Sequence, residues 1–276
     1  MAAAVQRYAE RGYTWLKYHL SPFHNCIEQT RAMQEVAPPG FQIHYDFTHQ
    51  GNLGPQSRGI TDHMPELLER LAEFPVAGCF EDVVWAQDYR SWQELRSRAK
   101  RPLVMHGAPS GPPFHEVMHQ PADAYMLGHS KIGDAVRRAG LMAGAGVPFM
   151  LQNTGGAITR AMVLHMMCTC ARLSAASLTL LARRLSHASL PAVPTATFHA
   201  CTSGEVLKDD VVAERLEPVN GLVKVPDGPG LGLTLTRSEL ERLSRNTPVV
   251  FRPFIIRTRF ANGARMLVRC AEPVGL

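Results

Sequence analysis

The sequence predicts an α/β fold of the TIM-type (β/α) barrel class, and three observations carry that expectation. Seven short apolar segments, each led in by Gly or Pro or by a helical stretch, end on a polar residue: His19, Asp46, Glu81, His106, His129, Gln152 and His199. The first six of these ends are about 23 to 35 residues apart, the length of one strand plus its crossover helix. Segments such as Ala124 to Leu127 and Pro148 to Leu151 are apolar without alternation, as strands buried on both faces are. A parallel barrel gathers the C-terminal ends of its strands around one mouth, where the chemistry of such folds is built.

Taken in order, the chain opens on a helix at 2–10 and a strand ending at Lys17-Tyr18-His19. Crossover helices are expected near 24–36, 60–74, 89–100, 113–119, 132–146 and 158–185. Met64, Leu67, Leu68, Leu71 and Phe74 recur at the 3–4 spacing of a helix face. Gly111, Pro112 and Pro113 make the 113–119 crossover as much a loop as a helix. The pattern changes after His199, and residues 1–216 are read as an incomplete barrel. Residues 217–276 are read as a C-terminal extension that packs back on the barrel or completes a cap, with a hairpin on either side of Asn262-Gly263.

A chain of 276 residues, 45% hydrophobic and 19% charged, has the composition of a globular domain. Its net charge of +5 comes from Lys and Arg that form no dense run, which argues against nucleic acid and suits a small anionic molecule. Six cysteines show no CxxC pair and no secretory signal opens the chain, so a reducing, cytoplasmic setting is expected. The apolar stretch near Leu173 is broken by Ser, Thr and Arg and is not a membrane span.

The candidate chemistry sits on the strand ends. Lys17 and His19, at i and i+2 on a strand, point to one side and can supply a cation and an acid/base group. Asp46 and Glu81 end the next two strands and are hard oxygen donors suited to Mg2+; each carboxylate alone reads first as a helix-capping or rim residue, and it is the pair on consecutive strands, with His106 on the next, that points to a metal. Asp82 should point to the opposite side from Glu81. His129 and Lys131 could face Lys17 across the mouth, Gln152 and Asn153 could bind substrate oxygens, and His199 ends the last segment. Gly228-Pro-Gly-Leu-Gly232 lacks the Lys-Ser/Thr of a phosphate loop and reads as tight turns.

Several of these segments together resemble the barrel domain of the enolase superfamily, in its mandelate racemase/muconate-lactonizing branch. They are Leu16 to His19, His44 to Asp46, Cys79 to Asp82 with Trp85 to Tyr89, Gly128 to Gly133, Pro148 to Asn153 and Val225 to Gly232. The resemblance implies Asp46 and Glu81 as Mg2+ ligands, with His106 beside Gly107 at the third ligand position. It places Lys17 and His19 on a Lys-x-Lys motif, with His19 in place of the second lysine. Lys131 falls on a catalytic lysine of the muconate-lactonizing subgroup, with His129 near it. The positions of an Asp-His dyad hold Gly128 and Gln152.

The implied reaction is removal of the proton α to a carboxylate, followed by loss of a β-hydroxyl, as in a sugar-acid dehydratase. Return of the proton on the other face, giving racemisation or epimerisation, is an alternative. The resemblance also implies a barrel without its first strand and without the α+β capping domain. That leaves a further alternative, a non-catalytic binding or remnant barrel. The implied partner is a small anionic carboxylate such as a sugar acid; members of the family are often homo-oligomers, and nothing in this sequence fixes the assembly.

Overall fold

The computed structural model describes residues 1–20, 25–47, 63–86, 88–106, 118–128, 132–145, 147–152, 155–166, 209–246, 255–259 and 265–269. The chain divides into two compact units, Met1–Thr234 and Leu235–Leu276. The segment read from the sequence as an extension, 217–276, includes residues on both sides of that division.

The first unit runs α1 (Ala2–Glu10), β1 (Trp15–His19), α2 (Cys26–Val36), β2 (Gln42–Asp46), α3 (Met64–Ala72) and β3 (Ala77–Glu81). It continues with α4 (Tyr89–Arg98), β4 (Leu103–His106), β5 (Ala124–Gly128), α5 (Ile132–Gly144), β6 (Phe149–Gln152) and a helix at 157–166. All six strands lie in one parallel sheet in the order β1-β2-β3-β4-β5-β6. Sequential order with helical crossovers is the wiring of a (β/α) barrel, and the described strands form a partial barrel of that class. Neighbouring parallel strands cannot be joined by a tight turn, so each crossover returns the chain to the same end of the sheet and every polar strand end falls on one rim.

Local signals set the helix limits. The Asn25 side chain accepts hydrogen bonds from the Ile27 and Glu28 amides at 3.0 and 3.3 Å, so α2 starts after Asn25, slightly later than expected. Asp88 caps α4 through the Ser91 amide at 3.2 Å and the Ser91 hydroxyl at 2.7 Å. Pro65 sits in the first turn of α3, where its missing N–H costs nothing. The expected 113–119 crossover and the continuation of the 158–185 helix past 166 lie mostly outside the described residues.

The sheet has two buried faces. Tyr18, Ile43, Tyr45, Phe80, Leu103, Met105, Tyr125, Leu127, Phe149 and Leu151 pack in the main core, together with Ile27, Met33, Met64, Leu68, Leu71, Trp92 and Leu95 from the helices. On the opposite face Cys79, Val104, Ala124 and Met126, with Trp15 and Met150, form a separate apolar layer. Above this layer, toward the C-terminal ends of the strands, the same face carries Lys17, His19, His44, Asp46, Glu81 and His106. A register slip between Ile43 and His44 inserts Gly78 opposite β2. A side chain there would meet the Trp15 ring at 2.5 Å, so glycine is required for strand and indole to approach.

Within the first unit, residues 209–234 run as extended, turn-rich chain. Leu216, Val223 and Val225 cover Leu164 of the 157–166 helix. The Asp210 carboxylate accepts the Ala157 amide at 2.7 Å at that helix's start. In the second unit, α6 (Arg237–Asn246) is followed by β7 (Ile255–Arg259) and β8 (Arg265–Arg269), which pair antiparallel from Ile255↔Arg269 to Arg259↔Arg265. Among the described residues, no helix is long and apolar enough to cross a membrane.

Candidate metal and acid–base site

Strand register builds the site. His19 lies opposite Asp46, and Asp46 opposite Glu81, so three strands present one row of polar ends. One pleat lower, Lys17 lies opposite His44. The i, i+2 relation keeps Lys17 with His19 and His44 with Asp46 on the same face, and β4 adds His106.

Glu81 is at the centre. Its side chain is fully buried, as are those of Asp46 and His44. Lys17 Nζ lies 2.7 Å from Asp46 Oδ2 and 2.7 Å from Glu81 Oε2, so one ammonium bridges two carboxylates. His44 Nε2 lies 2.5 Å from Glu81 Oε2, and His106 Nδ1 lies 3.1 Å from Glu81 Oε1. His19 stands apart at the rim: its side chain is 60% exposed and its Nε2 is 3.3 Å from Asp46 Oδ2.

The electrostatics follow from burial and proximity. Burial would raise the Glu81 carboxyl, but His44, His106 and Lys17 outweigh it and hold the group well below the usual carboxylate range. Burial would lower Lys17, but Glu81 and Asp46 keep its ammonium above the ordinary lysine value. A lysine so held is an ammonium at neutral pH. His19 is lowered, by burial first and then Lys17, against the pull of Asp46. His106 is raised because its contact with Glu81 outweighs its burial.

Two residues that the sequence reading underrated belong to the cluster. Asp82 was expected to turn away from Glu81, but its φ of +53° takes it out of the strand conformation. Its Oδ1 accepts the His106 amide at 2.8 Å. Burial and the neighbouring Glu81 charge push its carboxyl up to about 7. Glu81, Asp82 and His106 each offer a ligand atom, all within 4.8 Å of one another. His44 was quoted only as part of a motif. Its spacing of two from Asp46 was the available signal that it shares the site's face.

These donors fit a divalent cation. Among the described residues, three buried carboxylates and two imidazoles gather around one lysine, and the Glu81, Asp82 and His106 ligand atoms lie within 4.8 Å of one another, a set that suits a metal ion. Gln152 ends β6 opposite Gly128, and its Oε1 is buried without a hydrogen bond among the described residues. His129, Lys131, Asn153 and His199, and Gly107 beside His106, lie outside the described residues.

Residues 1–239 match the model of the family described as enolase C-terminal domain-like. No curated protein matches the chain. Solved structures of similar fold include the 3,6-anhydro-D-galactonate cycloisomerase of Zobellia galactanivorans, at 18% identity and a TM-score of 0.63, covering 87% of this chain and 61% of that one. Muconate cycloisomerase of Pseudomonas fluorescens matches at 15% identity and 0.63, covering 88% and 61%. A dipeptide epimerase of Cytophaga hutchinsonii, solved with Mg and D-Ala-L-Val, matches at 15% and 0.62, covering 87% and 59%. The chain thus spans about three fifths of the length of these neighbours. With its family match over 1–239, its sequential parallel strands and its ring of polar strand ends, the chain belongs to the enolase superfamily, in the mandelate racemase/muconate-lactonizing branch.

Proposed function

We propose that this chain is the barrel of a cytoplasmic, metal-dependent lyase that takes the α-proton from a small carboxylate, a sugar acid, and then expels a β-hydroxyl. The observation that supports this most is the convergence of Lys17, His19, Asp46, Glu81, Asp82 and His106 at the C-terminal ends of four adjacent strands. Glu81 is the residue assigned to the cation, Mg2+ being the ion implied by the resemblance. A divalent cation there supplies positive charge to the substrate carboxylate as it gains electron density on loss of the α-proton.

The protein groups divide the remaining work. Lys17, clamped between Asp46 and Glu81, is a fixed positive charge and not a proton acceptor. His19 takes the α-proton. It is the exposed member of the cluster, and its Nε2 on Asp46 orients the ring so that Nδ1 receives the proton, with Asp46 stabilising the imidazolium. Gln152 Oε1 accepts from a substrate hydroxyl, which favours a polyhydroxy acid. His129 and Lys131 serve as the opposing acid, Asn153 and His199 add substrate contacts, and the assembly is a homo-oligomer.

The test is exchange of the α-proton of a panel of sugar acids with solvent deuterium, followed by NMR with and without divalent metal. The expected result is metal-dependent exchange in the wild type that is lost in His19→Asn while metal binding is kept. Undiminished exchange in His19→Asn would remove His19 as the base. A second reading, a ligand-binding barrel without turnover, is favoured by the Lys17 ammonium already bridging Asp46 and Glu81 and offsetting one of their two charges. It expects a bound carboxylate and no exchange.

A further inference from the structure

The Glu81 carboxylate has two sides with different surroundings. Its Oε2 faces Lys17 Nζ at 2.7 Å and His44 Nε2 at 2.5 Å, and the same ammonium reaches Asp46 Oδ2 at 2.7 Å. That side holds a cation tied to the backbone of β1. Its Oε1 faces His106 Nδ1 at 3.1 Å, and Asp82 brings a further donor, the three ligand atoms lying within 4.8 Å of one another. Two carboxylates are therefore side by side around an imidazole, with Lys17 on the far side of Glu81.

The spacing suits coordination. Metal bonds of about 2.1 Å at right angles put neighbouring donor atoms about 3 Å apart, which is the separation of Glu81 Oε1 and His106 Nδ1. The third donor is held in place by the backbone. The left-handed conformation at Asp82 turns it toward β4, and the His106 amide fixes its Oδ1 at 2.8 Å. A nonglycine residue held at positive φ beside a polar cluster is the kind of local cost that function explains better than folding does. Glu81 is fully buried, with Lys17 on its Oε2 and His106 on its Oε1. An imidazole among the donors changes which ion is favoured: all-oxygen sets suit Mg2+, whereas imidazole suits later first-row divalent ions.

We infer that the cation of this chain sits between β3 and β4 on Glu81 Oε1, Asp82 and His106 Nδ1, that Lys17 is the built-in counter-ion of Asp46, and that the site prefers Co2+, Zn2+ or Mn2+ to Mg2+. This deepens the function proposed above, since it rests on a cation at Glu81. It keeps Glu81 and His106 of the Asp46, Glu81 and His106 set that the sequence pointed to and puts Asp82 in the place of Asp46.

The test uses the full chain, freed of metal by chelation. It is titrated with Co2+ followed by visible absorption, and with Mg2+, Mn2+ and Zn2+ by calorimetry. Wild type is compared with His106→Gln, Asp82→Asn and Asp46→Asn, and circular dichroism checks that each is folded. The expected result is Co2+ and Zn2+ binding at least about tenfold tighter than Mg2+. Affinity should fall at least about tenfold in His106→Gln and Asp82→Asn and change less than about threefold in Asp46→Asn. Asp82→Asn keeps an acceptor for the His106 amide and carries the test if His106→Gln fails to fold. Mg2+ binding as tightly as Co2+, or binding lost in Asp46→Asn and kept in the other two, overturns the inference. In that last case intact deuterium exchange leaves the proposed function standing. Transition-ion binding through His106 and Asp82 without exchange does the opposite.

Discussion

Replacing Lys17 by methionine removes the ammonium and keeps most of the stem. In the wild type the Lys17 side chain is 8% exposed and its Nζ is 2.7 Å from each of two fully buried carboxylates. Taking away one partner of a buried ion pair costs about 3–5 kcal/mol, because the charge left behind is neither solvated nor paired. Two carboxylates share this lysine, so the upper part of that range is expected, about 4–5 kcal/mol in metal-free protein. With a urea m-value of about 3 kcal/mol/M, the unfolding midpoint should fall by about 1.5 M.

The loss should depend on pH in a defined direction. Glu81 has its folded pKa held below its unfolded value of 4.5, despite burial, by His44, His106 and Lys17. Its contribution to stability is present above pH 4.5 and is lost as pH falls through the lower folded value. Without Lys17 that folded value rises, so the gap between wild type and Lys17→Met is widest at neutral pH and narrows in acid. The assay is urea denaturation followed by circular dichroism at pH 7.5 and pH 4, with chelator present. A midpoint change of less than about 0.3 M at pH 7.5, or a gap that widens in acid, would refute the reasoning.

Gly12 has φ of +82°, and a side chain there would meet the Asn220 backbone at 2.5 Å. Gly12→Ala should destabilise by more than about 1 kcal/mol and expose the 217–225 segment to limited proteolysis; an unchanged melting temperature and digestion pattern would contradict that packing. Asp210 accepts the Ala157 amide at 2.7 Å and the Val211 amide at 2.7 Å. Asp210→Ala should cost about 1 kcal/mol in thermal unfolding, with a change within about 0.3 kcal/mol counting against its capping role.

The partial barrel was legible because parallel strands buried on both faces leave a strong mark. Each apolar run ends where the strand ends, and the polar residue after it marks the rim. Lys17, His19, Asp46, Glu81 and His106 could be named because a strand's period of two makes facing predictable. Asp82 escaped for the same reason: alternation assigned it to the other side, and only the positive φ at the strand's end overrides the rule. His44 shares the site's face through its spacing of two from Asp46, and what only register adds is that it lies opposite Lys17. The bridging of Asp46 and Glu81 by one lysine is a matter of side-chain reach across three strands, which spacing in sequence does not encode.

The central claim is that Glu81 anchors a divalent-cation site within this chain. It is tested most directly by calorimetric titration of metal-free protein with Mn2+, beside a folded Glu81→Gln control. The account predicts saturable binding to a single site in the wild type and none in Glu81→Gln. An absence of heat in the wild type, or the same isotherm in both proteins, would contradict it.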